Sequence, residues 1–148
     1  MLARKYLIAG VGVLAFSSAM GGALLAQQYD VPEVYYLFTS AEGANVPGGG
    51  DEDGFADFAL KLDPEAGEAC YTLSVGDFDM TAAHIHEGKD GETGDVVFPV
   101  EETGEDDEKC FALDAVTIRK IGKKPANYYL NVHSAEFPNG GIRGQLSD

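Results

Sequence analysis

From Val34 onward, apolar and polar residues alternate in short runs, the two-residue period of half-buried β-strands rather than the longer period of helices. Val34–Ser40 (Val-Tyr-Tyr-Leu-Phe-Thr-Ser) is rich in aromatic and β-branched residues and predicts a first strand. Phe58, Leu60 and Leu62 then alternate with Asp57, Ala59 and Lys61. After the turn Asp63-Pro64-Glu65-Ala66-Gly67, Tyr71, Leu73 and Val75 alternate with Cys70, Thr72 and Ser74, which predicts a hairpin. Further strands are predicted at Ala82–His86, Val96–Val100, Lys109–Leu113, Tyr128–His133 and Ile142–Leu146. One segment breaks the pattern. Asp114 suits a helix N-cap, Val116, Ile118 and Ile121 make one apolar stripe, and Arg119 and Lys120 fall in the closing turn. Gly122 suits the residue after the last turn, and Pro125 stops continuation. The expected fold is all-β: a Greek-key-like β-sandwich of about eight short strands with one short helix.

The first residues follow a different logic. Arg4 and Lys5 precede the apolar run Tyr6–Phe16, and small residues lead to Ala23-Leu24-Leu25-Ala26. That order is a secretory leader over residues 1–26, with the domain occupying 27–148. Tyr6–Ala26 is also about the 20 residues that span a bilayer, so an uncleaved anchor is the competing assignment. The glycines and serines in the run favour the cleaved leader. The expected location is therefore periplasmic or secreted.

Charge narrows the partners. The chain carries 10 basic and 25 acidic side chains. Loss of residues 1–26 removes Arg4 and Lys5 and no acid, leaving about −17. Such a surface repels nucleic acid and anionic lipid, so neither nucleic acid nor, after leader cleavage, a membrane is expected as a partner. The clusters Asp51-Glu52-Asp53 and Glu105-Asp106-Asp107-Glu108 lack the EF-hand pattern and are expected to be solvated loops. Cys70 and Cys110, the only cysteines, each lie in a strand-like run of an exported chain, so a structural disulfide is expected.

The three histidines are where chemistry concentrates. His84 and His86 alternate with Ala83 and Ile85, so both rings leave the strand on one face. On the later segment Tyr129, Asn131 and His133 share one face, and Tyr128, Leu130 and Val132 the other. Both strands thus turn an apolar side to a core and a histidine side outward. Three neutral imidazoles with an open fourth position suit copper or zinc, so His84, His86 and His133 form the candidate metal site. Asn131 is placed to orient a ring, and Glu87 and Glu136 are near enough in sequence to add a carboxylate. The competing assignment is that the histidines only hydrogen-bond strand ends and a glycine-rich loop.

Two strings carry a family resemblance: Thr81-Ala-Ala-His-Ile-His-Glu-Gly-Lys-Asp-Gly-Glu-Thr-Gly-Asp-Val-Val97, and Tyr128-Tyr-Leu-Asn-Val-His-Ser-Ala-Glu-Phe-Pro-Asn-Gly-Gly-Ile-Arg-Gly-Gln-Leu146. Together with Leu37–Leu62 and the Cys70 and Cys110 strands, they resemble the CHRD domain, named for chordin and also found as stand-alone exported bacterial proteins. The resemblance implies an extracytoplasmic binding module with a protein partner left unidentified. The order His84, His86, His133, Arg143 is also similar to that of copper-zinc superoxide dismutases. That similarity implies a copper held by the three histidines with Arg143 beside the open position, in a chain that has no further histidine to bridge to zinc. The alternative function is therefore a single-copper oxidoreductase acting on superoxide.

Overall fold

The computed structural model describes residues 33–148. The leader expected over residues 1–26 lies outside them. Eight strands alternate along the chain: β1 (Tyr35–Glu42), β2 (Phe55–Asp63), β3 (Glu68–Gly76), β4 (Met80–Glu87), β5 (Val96–Val100), β6 (Gly104–Ala112), β7 (Tyr128–Ser134) and β8 (Ile142–Gln145). The helix α1 (Ala115–Lys123) separates β6 from β7. All pairings are antiparallel, in the order β5-β4-β7-β8-β1-β2-β3-β6.

That order has a geometric consequence. β5 and β6 are the two edges of the sheet, yet only Glu101, Glu102 and Thr103 join them. The link from Val100 to Gly104 can reach about 14 Å, whereas the edges of a flat eight-stranded sheet lie about 33 Å apart. The sheet must therefore curl until its edges meet. Contacts across the seam agree: Glu101 N–H donates to the Tyr71 hydroxyl at 3.1 Å and Thr103 N–H to the Leu73 carbonyl at 3.0 Å. The rings of Phe98 and Phe111 lie 5.1 Å apart. The all-β architecture with one helix agrees with the alternation pattern, and the two layers of the sandwich are facing halves of one curled sheet. β4, β5 and β6 follow one another around the curl and β6 returns beside β3, a Greek-key path.

The interior is filled by the apolar phase of each strand. Leu37, Leu60, Leu62, Leu73, Ile85, Leu130, Val132 and Ile142 are all fully buried. Ile118 and Ile121 of α1 join the same cluster. The Asp114 carboxylate caps this helix, accepting from Val116 N–H and Thr117 N–H.

Three local expectations are corrected. The acidic run is not a loop: β6 begins at Gly104, so Asp106, Asp107 and Glu108 stand on the edge strand itself, where exposed charge opposes pairing with another chain. Val116 is 62% exposed, leaving only Ile118 and Ile121 as the buried stripe. Gly122 lies inside the helix rather than after it. A Cβ there would stand 2.3 Å from Cγ of Tyr35, so close packing of helix on ring is what requires glycine.

Cys70 and Cys110 form the expected disulfide, directly opposite each other on β3 and β6 with Cα atoms 4.0 Å apart. It fastens an edge strand reached only after the chain has crossed the sheet, across a sequence separation of 40. Chain entropy sets the upper contribution at about 4 kcal/mol. Reduction is expected to lower the denaturant-unfolding free energy by about 2–4 kcal/mol. Equal midpoints with and without reductant would show that the bridge adds nothing to stability.

Candidate metal centre

β4 and β7 are neighbours in the sheet, and their register decides where the imidazoles go. Ala82 faces His133, His84 faces Asn131 and His86 faces Tyr129. Because Ala83, Ile85, Leu130 and Val132 fill the core, the alternate residues must point outward. His133 lies one diagonal step from His84, beside the small side chain of Ala82, which leaves its ring free to lean across. The structure brings all three expected histidines together. The His84 ring centroid is 5.7 Å from that of His86 and 5.0 Å from that of His133. One ligand nitrogen from each can be chosen so that all lie within 4.8 Å of one another.

Hydrogen bonds select the tautomer of two rings. Nδ1 of His86 lies 2.9 Å from the Gly94 carbonyl, and Nδ1 of His133 lies 3.0 Å from the Pro138 carbonyl. A carbonyl only accepts, so in the neutral form of each ring Nδ1 carries the proton and Nε2 presents a lone pair. Nε2 of His86 is buried and has no hydrogen-bond partner among the described residues. Nε2 of His133 lies 3.1 Å from Nδ1 of His84. Two nitrogens bound tetrahedrally to one ion at zinc–nitrogen distances lie about 3.4 Å apart. At 3.1 Å the pair is hydrogen-bonded, with Nδ1–H of His84 donating to Nε2 of His133, and a cation shared by the two would take the place of that proton.

The carbonyls that orient these rings are themselves held. Arg143 is 3% exposed and donates to the carbonyls of Glu92 (2.7 Å) and Lys89 (2.9 Å), binding the loop between β4 and β5 onto the sheet. Its guanidinium carbon lies 3.5 Å from the centre of the Tyr129 ring, against which His86 also stacks at 5.0 Å. Gln145 donates to the carbonyls of Gly88 and Ala126, and Gly94 N–H donates to the Tyr129 hydroxyl. On the other side, Asn131 donates to the Asn139 carbonyl at 3.2 Å and approaches Nε2 of His133 at 3.4 Å. Gly140, with φ of 116°, leaves room for that amide: a Cβ there would sit 2.1 Å from its Oδ1.

The placement of the other sequence candidates follows. Arg143 lies on the same outer face, in register with Asn131, with its donors directed at loop carbonyls. Glu87 and Glu136 do not enter the histidine cluster. Sequence reasoning missed Gly94, Pro138, Gln145 and the stacking role of Tyr129. The glycine-spaced run Gly88–Gly94 and the turn Pro138-Asn139-Gly140-Gly141 were the available signals.

Burial makes it harder to charge His84, and the neighbouring His133 and then His86 add to the effect, so its pKa lies below the ordinary imidazole value.

Comparison with known proteins identifies a family. A family model described as the CHRD domain matches residues 37–146, a stretch that contains all three histidines and both cysteines. No curated protein and no solved structure matches the chain.

The lowered pKa of His84 sets a sign for pH dependence. The unfolded chain takes up the proton near pH 6.5, while the folded chain resists it. Stability from the neutral ring is complete above about pH 6.5 and is lost as pH falls through the lower folded value. Metal-free protein is expected to lose stability on acidification more steeply than its His84→Gln variant between about pH 7.5 and pH 5.5. Parallel curves would show that His84 titrates alike in both states.

Proposed function

The chain belongs to the CHRD-domain family, and from that premise we propose that it is an exported binding module holding one copper or zinc ion on His84, His86 and His133. The observation that carries this is the convergence of the three rings, one nitrogen from each within 4.8 Å of the others, together with the buried, unpartnered Nε2 of His86. A buried polar atom without a partner costs about 1–3 kcal/mol, and a cation removes that cost. The residues fit the ion: three neutral nitrogens, two of them fixed in tautomer by backbone carbonyls, are the ligand set and outer support typical of imidazole-bound copper or zinc. Nδ1 of His84 and Nε2 of His86 and His133 would be the donors. Bound metal would act as a Lewis acid with a position left for a further ligand.

Export is supported by the leader-like residues 1–26 and by the Cys70–Cys110 disulfide, which suits an oxidising compartment. Among the described residues no helix is long and apolar enough to cross a membrane.

A second reading, a copper-dependent oxidoreductase acting on superoxide, uses the same three nitrogens and their open position. Electrostatics favours the first. Superoxide is an anion approaching a chain with a net charge of −15, and Arg143, the nearest cation in the sheet register, spends its donors on loop carbonyls. The same field draws metal cations toward the site.

Elemental analysis of untagged protein is expected to find about one copper or zinc per chain. The His84→Ala/His133→Ala variant is expected to lose the metal while keeping its circular dichroism. Added metal at a hundredfold excess over its Kd should stabilise the wild type by about 2.7 kcal/mol, reversibly with chelator. Metal content unchanged in the double variant would move binding to the acidic residues and overturn the site. Dismutation by the copper-loaded protein no faster than by free copper would eliminate the oxidoreductase.

A further inference from the structure

The half of the sheet away from the histidines carries a second unusual surface. On the outer face of β1, β2 and β3, Tyr36 is 57% exposed and Phe38 is 52% exposed. They stand two residues apart on β1 and so lie about 7 Å apart on one face. Beside them runs a groove formed by two clefts of about 500 Å³ and 130 Å³ that share Phe38, Ala59 and Thr72. The small side chains of Ala59 and Thr72, directly in register with Phe38, make its floor. Phe55, the third exposed aromatic on this face, lies over Gly76, where a Cβ would stand 2.2 Å from its ring. Among the described residues, no glycine lies under the ring of Tyr36 or Phe38 in this way.

The groove's chemistry restricts what can occupy it. β1, β2 and β3 are interior strands of the sheet, β1 meeting β8 at Glu42–Arg143 and the chain end through the Phe38–Ser147 bridge, so none of them is a free edge for a peptide strand. An anion would meet the Asp57 carboxylate, with Lys61 the one cation lining the groove. A purely apolar ligand would desolvate Ser40, Asp57, Thr72 and Ser74 without replacing their hydrogen bonds. A second copy would bring another charge of −15 against this one. A neutral ligand with flat C–H faces and many hydroxyls meets none of these objections. The Asp57 carboxylate accepts one hydrogen bond, from the Ser40 hydroxyl at 2.6 Å, and keeps further lone pairs for ligand hydroxyls.

We propose that the outer face of β1–β3 is a binding site for a neutral oligosaccharide. Two successive sugar rings stack on Phe38 and Tyr36, and Asp57, Ser40, Thr72 and Ser74 bond their hydroxyls. The site is independent of the histidine cluster, which lies on β4 and β7.

The test is a titration of the exported chain with cellohexaose, chitohexaose and maltohexaose, followed by amide chemical shifts. At least one of them should give saturable shifts confined to β1–β3, unaffected by chelator. Phe38→Ala and Tyr36→Ala should each weaken binding about tenfold or more with unchanged thermal unfolding, and Phe38→Trp should retain it. No shift with any of the three at millimolar concentration overturns the proposal, as do shifts mapping to other surfaces. A dimer in sizing experiments that Phe38→Ala converts to monomer also overturns it, because a second copy would then cover the face.

Discussion

The pairing register of β4 with β7 is the constraint on which the candidate site depends. Side chains on a strand alternate strictly, so a slip of one residue would exchange every inward and outward position. In the observed register Ala83, Ile85, Leu130 and Val132 are buried while His84, His86 and His133 stay outside. A slipped strand would bury two imidazoles and expose Ile85. The hydrophobic effect that fills the core thus also sets the strand positions from which the three rings project. The convergence of the rings is a by-product of a register the core already demands.

Register alone does not orient a ring. That is done by polar groups outside the sheet, and their arrangement is economical in kind: backbone carbonyls are used throughout. Gly94 and Pro138 fix the tautomers of His86 and His133, and Arg143 and Gln145 hold the loop from which Gly94 projects. A guanidinium that is 3% exposed needs several acceptors, and loop carbonyls need donors once they fold over the sheet. Each satisfies the other. Arg143, which the resemblance to copper-zinc superoxide dismutases puts beside an open metal position, instead holds the loop and stacks on Tyr129.

How much of this was legible follows from which interactions are local. Alternation along a strand is local, so the faces of His84, His86 and His133 could be assigned before any fold was known. The Asp114 cap was equally visible, because it involves only the next three residues. The role of Gly122 was not. A glycine at a helix end and a glycine under a ring look alike in sequence, and only the packing of Tyr35 separates them. The acidic run failed for a similar reason. Charge argues for solvent, and an edge strand is solvent-exposed, so composition could not distinguish the edge from a loop. Tautomer fixation was invisible because its acceptors come from turns whose path depends on the whole sheet.

The curl of the sheet ties these observations together. A short link between edge strands forces the ends to meet, and the Cys70–Cys110 bridge fastens one of those edges. The curl brings the edge strands β5 and β6 near each other, and the exposed acids of β6 discourage pairing with another chain, so the outward faces are the surfaces best placed for recognition. On β4 and β7 the outward face is made of imidazoles whose proton positions are set by loops. On β1–β3 it is made of two exposed rings over a floor of small side chains. The two surfaces differ in the physics they use, lone pairs aimed at a cation against flat apolar faces edged with hydroxyls. Both rest on the same requirement, that every second residue of a strand be free of the core.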